Sequence, residues 1–104
     1  MIKITAAKLC EIVKSSSKVA NVEIEHISTD SRKIQAGDLF IAVKGEKFDG
    51  HDYVAAVLEQ GAALALVEHL VPDAPAERQI VVDNTLHAYG LIGSYVRSQF
   101  KGMV

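Results

Sequence analysis

The chain has 104 residues, 49% of them hydrophobic and 23% charged, with a formal net charge of −2 and a pI of about 6.0. That length supports one domain with one core, and the composition is ordinary for a globular chain and argues against disorder. It also excludes a surface basic enough to neutralise a nucleic-acid backbone, and one cysteine, Cys10, rules out an internal disulfide or a CxxC metal or redox site.

Met1 to Ile4 reads as a short edge strand, and Thr5 as the N-cap of a helix that carries Leu9, Ile12 and Val13 on one face. Ser15-Ser16-Ser17 ends that helix in a polar turn. Val22 to Ile27 alternates as a strand does, and Ser28 to Lys33 is wholly polar, a surface loop. Gly37-Asp38 marks a turn before Leu39 to Val43, an unbroken apolar run that reads as a central strand covered on both faces. A second polar loop, Lys44 to Gly50, leads into a helix from about His51 to Gln60, with Gly61 as its left-handed C-terminal cap. Ala62 to Val67 is a small-residue strand, Pro72 to Glu77 a loop, and Gln79 to Val82 a short buried strand. Asp83, Asn84 or Thr85 caps a last helix, in which Leu86, Tyr89, Gly93, Val96 and Phe100 recur at helical spacing, with Tyr89 and Phe100 expected in the core. The pattern predicts a single α/β domain whose mostly parallel or mixed sheet is flanked by helices. No apolar run approaches the roughly 18 residues that cross a bilayer, and Met1 to Thr5 lacks the basic-then-apolar order of a signal peptide. A soluble cytoplasmic domain is expected, without membrane insertion and without nucleic acid as a partner. The apolar piece Gly102-Met103-Val104 suggests a chain continued in something longer.

Two polar loops, Thr29 to Lys33 and Lys44 to His51, are the candidates for chemistry. The second follows the carboxyl end of the 39–43 strand and precedes a helix, where α/β sheets bind ligands and where free amides suit an anion. Gly45 and Gly50 would let such amides approach a ligand, Arg32, Lys44 and Lys47 add charge, and Ser31 adds a hydroxyl. Residues 29–51 also hold Asp30, Asp38, Glu46 and Asp49, so positive and negative charges cancel there and an anion must be held by geometry. The plain alternative is two solvated loops whose charges pair locally. His26, His51, His69 and His87 show no metal-ligand spacing and read as scattered surface or edge residues; no motif puts a nucleophile beside His51, and no GxxxxGK[ST] loop is present. Cys10, beside Leu9 on the first helix, reads as packing.

The linked wording Thr29-Asp30-Ser31-Arg32, Gly37-Asp38-Leu39-Phe40-Ile41-Ala42 and Lys44-Gly45-Glu46-Lys47-Phe48-Asp49-Gly50-His51-Asp52-Tyr53 resembles the N-terminal domain of the Mur ligases. Gln60-Gly61-Ala62-Ala63 and the Asp83-Asn84-Thr85 helix start are similar as well. Within that family the 44–52 segment is most like the branch that joins D-alanyl-D-alanine to UDP-N-acetylmuramoyl-tripeptide. The sister branch, which adds diaminopimelate or lysine to the dipeptide precursor, shares the DSR and DGH elements.

The resemblance implies an ATP-dependent acid–amino-acid ligase of peptidoglycan synthesis, acting through an acyl-phosphate. Residues 1–104 would be its module for UDP-N-acetylmuramoyl-tripeptide. A central domain of the same polypeptide would supply ATP and magnesium binding and a C-terminal domain would help bind the incoming amino acid or dipeptide, so no cofactor and no catalysis are expected of this piece alone. It further implies that Thr29 and Ser31 lie near the uridine and diphosphate, and that Lys44, Gly45, Glu46, Lys47, Phe48, Asp49, Gly50 and His51 form the loop that touches the nucleotide. Phe48 would offer a flat face to uracil, or serve as a core plug. Arg32 would brace its loop through Asp30 or Asp49. The rival expectations are a non-enzymatic α/β binding module and a purely structural partner domain.

Overall fold

The computed structural model describes residues 3–99. The expectations for Met1, Ile2, Phe100 and Gly102–Val104 lie outside the described residues. Strand β1 (Ile4–Thr5) leads directly into helix α1 (Ala6–Val13). The Thr5 hydroxyl accepts the Lys8 amide at 3.1 Å, which caps α1 as its sequence predicts. The helix stops at Lys14, whose left-handed φ of 59° turns the chain, while the Ser15 amide reaches back to the Cys10 carbonyl.

The expected strand over 22–27 is divided in two. β2 (Glu23–Ile24) pairs antiparallel with β1, and β3 (His26–Ser28) pairs parallel with β4 (Asp38–Ile41). The break falls at Glu25, whose amide donates to the Gly37 carbonyl at 2.9 Å as the chain passes from one sheet to the other. Each half serves a different partner, and alternation within one segment carries no sign of that.

The main sheet adds β5 (Leu64–Val67) and β6 (Gln79–Val81), giving four parallel strands in the order β3-β4-β5-β6. Leu39 is level with Leu64, and Leu66 with Ile80. Right-handed crossovers between strands in simple sequence order put every connection on one face. Accordingly helix α2 (Val54–Glu59) packs with Ile34, Val71 and Ala74 on the face formed by Phe40, Ala42, Ala65 and Val67. α1 and the last helix, α3 (Thr85–Gln99), cover the other face through Leu9, Val13, Ala88 and Ile92, against Leu39, Ile41, Leu64, Leu66 and Ile80. Two covered faces explain why β4 and β5 are apolar without alternation.

Polar side chains hold the margins. β6 is an edge strand, and its outward groups are taken by serines: Ser15 Oγ donates to the Val81 carbonyl at 2.7 Å and the Val81 amide donates to Ser17 Oγ at 2.9 Å. The polar turn read from the three serines is thus a strand-edge clamp. Buried Gln79 accepts the Val71 amide at 2.7 Å and donates to carbonyls of the 71–75 loop, tying that connection to the sheet. Cys10 is half-buried against the core, and burial pushes its thiol up.

The core face of α3 differs from the expectation. Thr85, Ala88 and Ile92 are buried, whereas Leu86 is 58% and Tyr89 39% exposed. Spacing gives a helical period but not its phase. The phase is set by Thr85, whose hydroxyl donates to the Ala42 carbonyl at 2.9 Å and turns Leu86 and Tyr89 outward.

Candidate functional site

Because all four main strands run the same way, their carboxyl ends share one edge. Thr29–Lys33 leaves β3 there, Lys44–His51 follows β4, Glu68 and His69 follow β5, and α3 begins just beyond β6.

The first loop is fixed by its own polar groups. Ser28 Oγ bonds the backbone of Asp30, and the Asp30 carboxylate accepts the Arg32 amide at 2.9 Å and its guanidinium at 3.2 and 3.3 Å. The Arg32 guanidinium, and then the Arg32 backbone N–H, hold the Asp30 carboxyl below its usual range. Arg32 therefore braces the loop through Asp30 while its head stands in solvent. Among the described residues, no hydrogen bond engages the Thr29 or Ser31 hydroxyl, so both remain available to a ligand.

The second loop corrects the expectation of free glycine amides. The Gly45 amide donates to the Phe48 carbonyl at 2.6 Å, and the Gly50 amide to the Val43 carbonyl at 2.9 Å. Both shape the loop, with Lys44 and Asp49 bridged across its neck. A Cβ at Gly50 would lie 2.8 Å from the Val43 nitrogen, so glycine here serves the close approach of two backbone segments. The helix start is occupied too: Asp49 Oδ1 accepts the His51 amide at 3.0 Å and caps the 3-10 turn Gly50–Tyr53. That amide, and then the His51 ring N–H, hold the Asp49 carboxyl below its usual range.

His51 is not a surface residue. It is 5% exposed, and its ring lies 2.7 Å from Asp49 Oδ1, accepts the Glu68 amide at 2.9 Å and stacks on His69 at 4.5 Å. His26, His69 and His87 are exposed, as expected of scattered surface histidines. The Glu68 carboxylate in turn accepts the Thr85 amide at 2.9 Å, and Asn84 Oδ1 accepts the His87 amide at 2.8 Å, which makes Asn84 the cap of α3.

Above this network the two loops meet at Phe48. Thr29, Asp30, Ser31, Arg32, Phe48 and Tyr53 line a hollow of about 520 Å³, with the rings of Phe48 and Tyr53 stacked at 5.3 Å. Thr29, Val43, Gly45, Phe48, Leu86 and Tyr89 line a second, more apolar one of about 460 Å³. Phe48 is 41% exposed, hence a wall and not a core plug. Of the residues singled out in the sequence, Thr29, Ser31, Arg32, Gly45 and Phe48 thus converge. Lys44, Glu46 and Lys47 are exposed on the loop rim, and Asp49, Gly50 and His51 support it from beneath. Tyr53, Leu86, Tyr89, Glu68 and Thr85 were not anticipated. A second apolar stripe on α3, one position out of phase with the buried one, was the available signal for Leu86 and Tyr89. Another hollow of about 520 Å³ lies at the opposite edge of the sheet, beside Glu59, Gly61, Asp73 and Arg78, away from every predicted residue.

Comparison with known proteins places this edge in a family. The sequence profile described as "Mur ligase family, catalytic domain" matches residues 23–95, which include both loops. The chain belongs to the Mur ligase family. Among Mur ligases it is similar over its full length to the UDP-N-acetylmuramoyl-tripeptide–D-alanyl-D-alanine ligase of Escherichia coli (strain K12), at 35% identity over 105 residues and 23% of that protein. The UDP-N-acetylmuramoyl-L-alanyl-D-glutamate–2,6-diaminopimelate ligase of Prochlorococcus marinus (strain NATL2A) is 49% identical, but over 51 residues, 49% of this chain and 10% of that protein. The crystal structure of MurF from Acinetobacter baumannii superposes on 95% of this chain and 22% of its own, with a TM-score of 0.83 at 36% identity. The parallel α/β fold expected from the sequence is therefore that of the corresponding Mur ligase segment. The chain spans under a quarter of the length of the curated relatives it matches.

Proposed function

We propose that residues 1–104 are the N-terminal substrate-recognition domain of a cytoplasmic ligase that joins D-alanyl-D-alanine to UDP-N-acetylmuramoyl-tripeptide in an ATP-dependent reaction. The carrying observation is that similarity to D-alanyl-D-alanine ligases runs through the whole chain, whereas the diaminopimelate ligase is matched over half of it. The paired hollows support the reading. Thr29 and Ser31 offer unengaged hydroxyls to a diphosphate, which needs donors more than it needs net positive charge. The stacked Phe48 and Tyr53 offer a flat apolar face to the base. Arg32, held by Asp30, keeps further N–H groups free to point outward.

Among the described residues no group of three His, Cys, Asp or Glu side chains is arranged to hold a metal ion. On this reading ATP and magnesium, which activate the substrate carboxylate, belong to a central domain of the same polypeptide. The part of this chain is to bind and orient the nucleotide end of the substrate.

The test is ADP release by the full-length protein given ATP, magnesium, UDP-N-acetylmuramoyl-tripeptide and D-alanyl-D-alanine. Turnover is expected with this pair. Turnover only with the dipeptide precursor and diaminopimelate or lysine would move the chain to the sister branch. Within the active enzyme, Ser31→Ala is expected to raise the KM for the UDP substrate about fivefold, the worth of one hydrogen bond near 1 kcal/mol. An unchanged KM would remove Ser31 from the contact surface.

A further inference from the structure

The bonds around His51 define its protonation. Nε2 accepts the Glu68 amide at 2.9 Å, so it carries no hydrogen; Nδ1 carries the ring proton and donates it to Asp49 Oδ1 at 2.7 Å. At 5% exposure the ring takes both partners from the protein itself. One ring face lies on His69, with the planes 12° from parallel. The charged or titratable groups facing His51 are Asp49, His69 and Glu68, with Lys44 acting beyond Asp49.

Glu68 is a joint with two ends. Its amide is held by His51, and its carboxylate holds the Thr85 amide at 2.9 Å at the start of α3. One turn of α3 carries Leu86 and Tyr89, which face Gly45 and Phe48 across the apolar hollow. A second proton on His51 would go to Nε2 and point at the Glu68 N–H, setting two donors against each other with no acceptor between them. When that proton binds, Glu68 must release the ring, and the tie between the 44–51 loop and α3 is undone.

We propose that His51 is a positioning residue that sets the gap between the Phe48 and Leu86–Tyr89 walls, and that it does so only as the neutral Nδ1–H tautomer. The inference rests on the proposed function for its kinetic consequence alone.

Nitrogen NMR of the 104-residue chain is the direct test. A bare Nε2 and a protonated Nδ1 are expected at neutral pH. On acidification, Glu68, Leu86 and Tyr89 should shift with the midpoint measured for His51, and the Glu68 amide should exchange about five- to tenfold faster as its bond is lost. His69→Phe keeps the stack and removes its proton, so the linkage to His51 should persist. His51→Gln can offer an oxygen to Glu68 without titrating, so the acid-induced shifts at Leu86 and Tyr89 should vanish. A protonated Nε2 at neutral pH overturns the proposal. So do Leu86 and Tyr89 signals that follow His69, or that ignore acid.

In the full-length enzyme, acidification through the same midpoint should raise the KM for the UDP substrate about five- to tenfold with kcat held, and His51→Gln should flatten that profile. A merely structural His51 would instead reduce the active fraction and kcat, which also overturns the proposal. Absence of any ligase activity would defeat the proposed function and leave the NMR arm to decide the role of His51.

Discussion

Thr85 is 1% exposed, and its hydroxyl lies 2.9 Å from the Ala42 carbonyl and 3.3 Å from Glu68 Oε2. It joins the end of β4 to the start of α3 in a place that water does not reach. Thr85→Val keeps the shape and deletes the donor, stranding a buried carbonyl. Destabilisation of about 1–3 kcal/mol is expected in urea unfolding, the cost of an unmet buried hydrogen bond. A loss below about 0.5 kcal/mol, typical of an ordinary surface change, would show that the bond does not fix the helix. Thr5 could be read as a cap in the sequence because its partner amide is three residues away. The partners of Thr85 and Gln79, and the Glu68 amide that meets His51, could not, because they come from other elements that only the fold brings near.

At the scale of elements, α3 tests how amphipathic spacing converts into burial. Ile92 is fully buried, and Ile92→Ala is expected to cost about 2–5 kcal/mol, the range for deleting a large core side chain. Leu86→Ala, on the stripe that the sequence favoured, should cost less than about 1 kcal/mol because the side chain is already 58% exposed. Comparable losses at both positions in thermal or urea unfolding would contradict the observed phase. The 3-10 turn at 50–53 makes a second, pH-dependent prediction. Asp49, its cap, has its carboxyl held down in the fold by the His51 amide and ring. Its contribution to stability is therefore complete above the ordinary carboxyl value of about 3.9, and disappears as pH falls through the lower folded value. Asp49→Asn should flatten the stability profile in that acid window, and an unaltered profile would remove Asp49 as a stabilising cap. Helix and strand order was legible throughout the chain, since periods of two and 3.6 are local signals. The division of 22–27 into two strands was not, because it depends on which neighbour each half meets.

For the molecule as a whole, sequential strand order gives no reversal point and so no crevice of the kind that doubly wound sheets open between diverging connections. The hollows arise differently, from two loops at the carboxyl edge and the exposed stripe of α3 leaning toward them. The loops were legible as candidates because long polar runs at strand ends have few other uses in a small domain. The third wall was hidden, since Leu86 and Tyr89 look like core residues until Thr85 fixes the rotation of their helix. The glycines were misleading for a related reason: their amides close the loop on itself.

The two helices on one face of the sheet, α1 and α3, stand at opposite ends of the described chain and pack on each other. During synthesis, Leu39, Ile41, Leu64, Leu66 and Ile80 must therefore wait, only partly shielded by α1, until α3 has left the ribosome. Nascent chains halted at Val82 would present a greasy half-sandwich and should require a chaperone to stay dispersed. A truncation after Val82 should sediment on expression where the 104-residue chain does not, and a soluble, monomeric truncation would show that α1 alone suffices as a temporary roof.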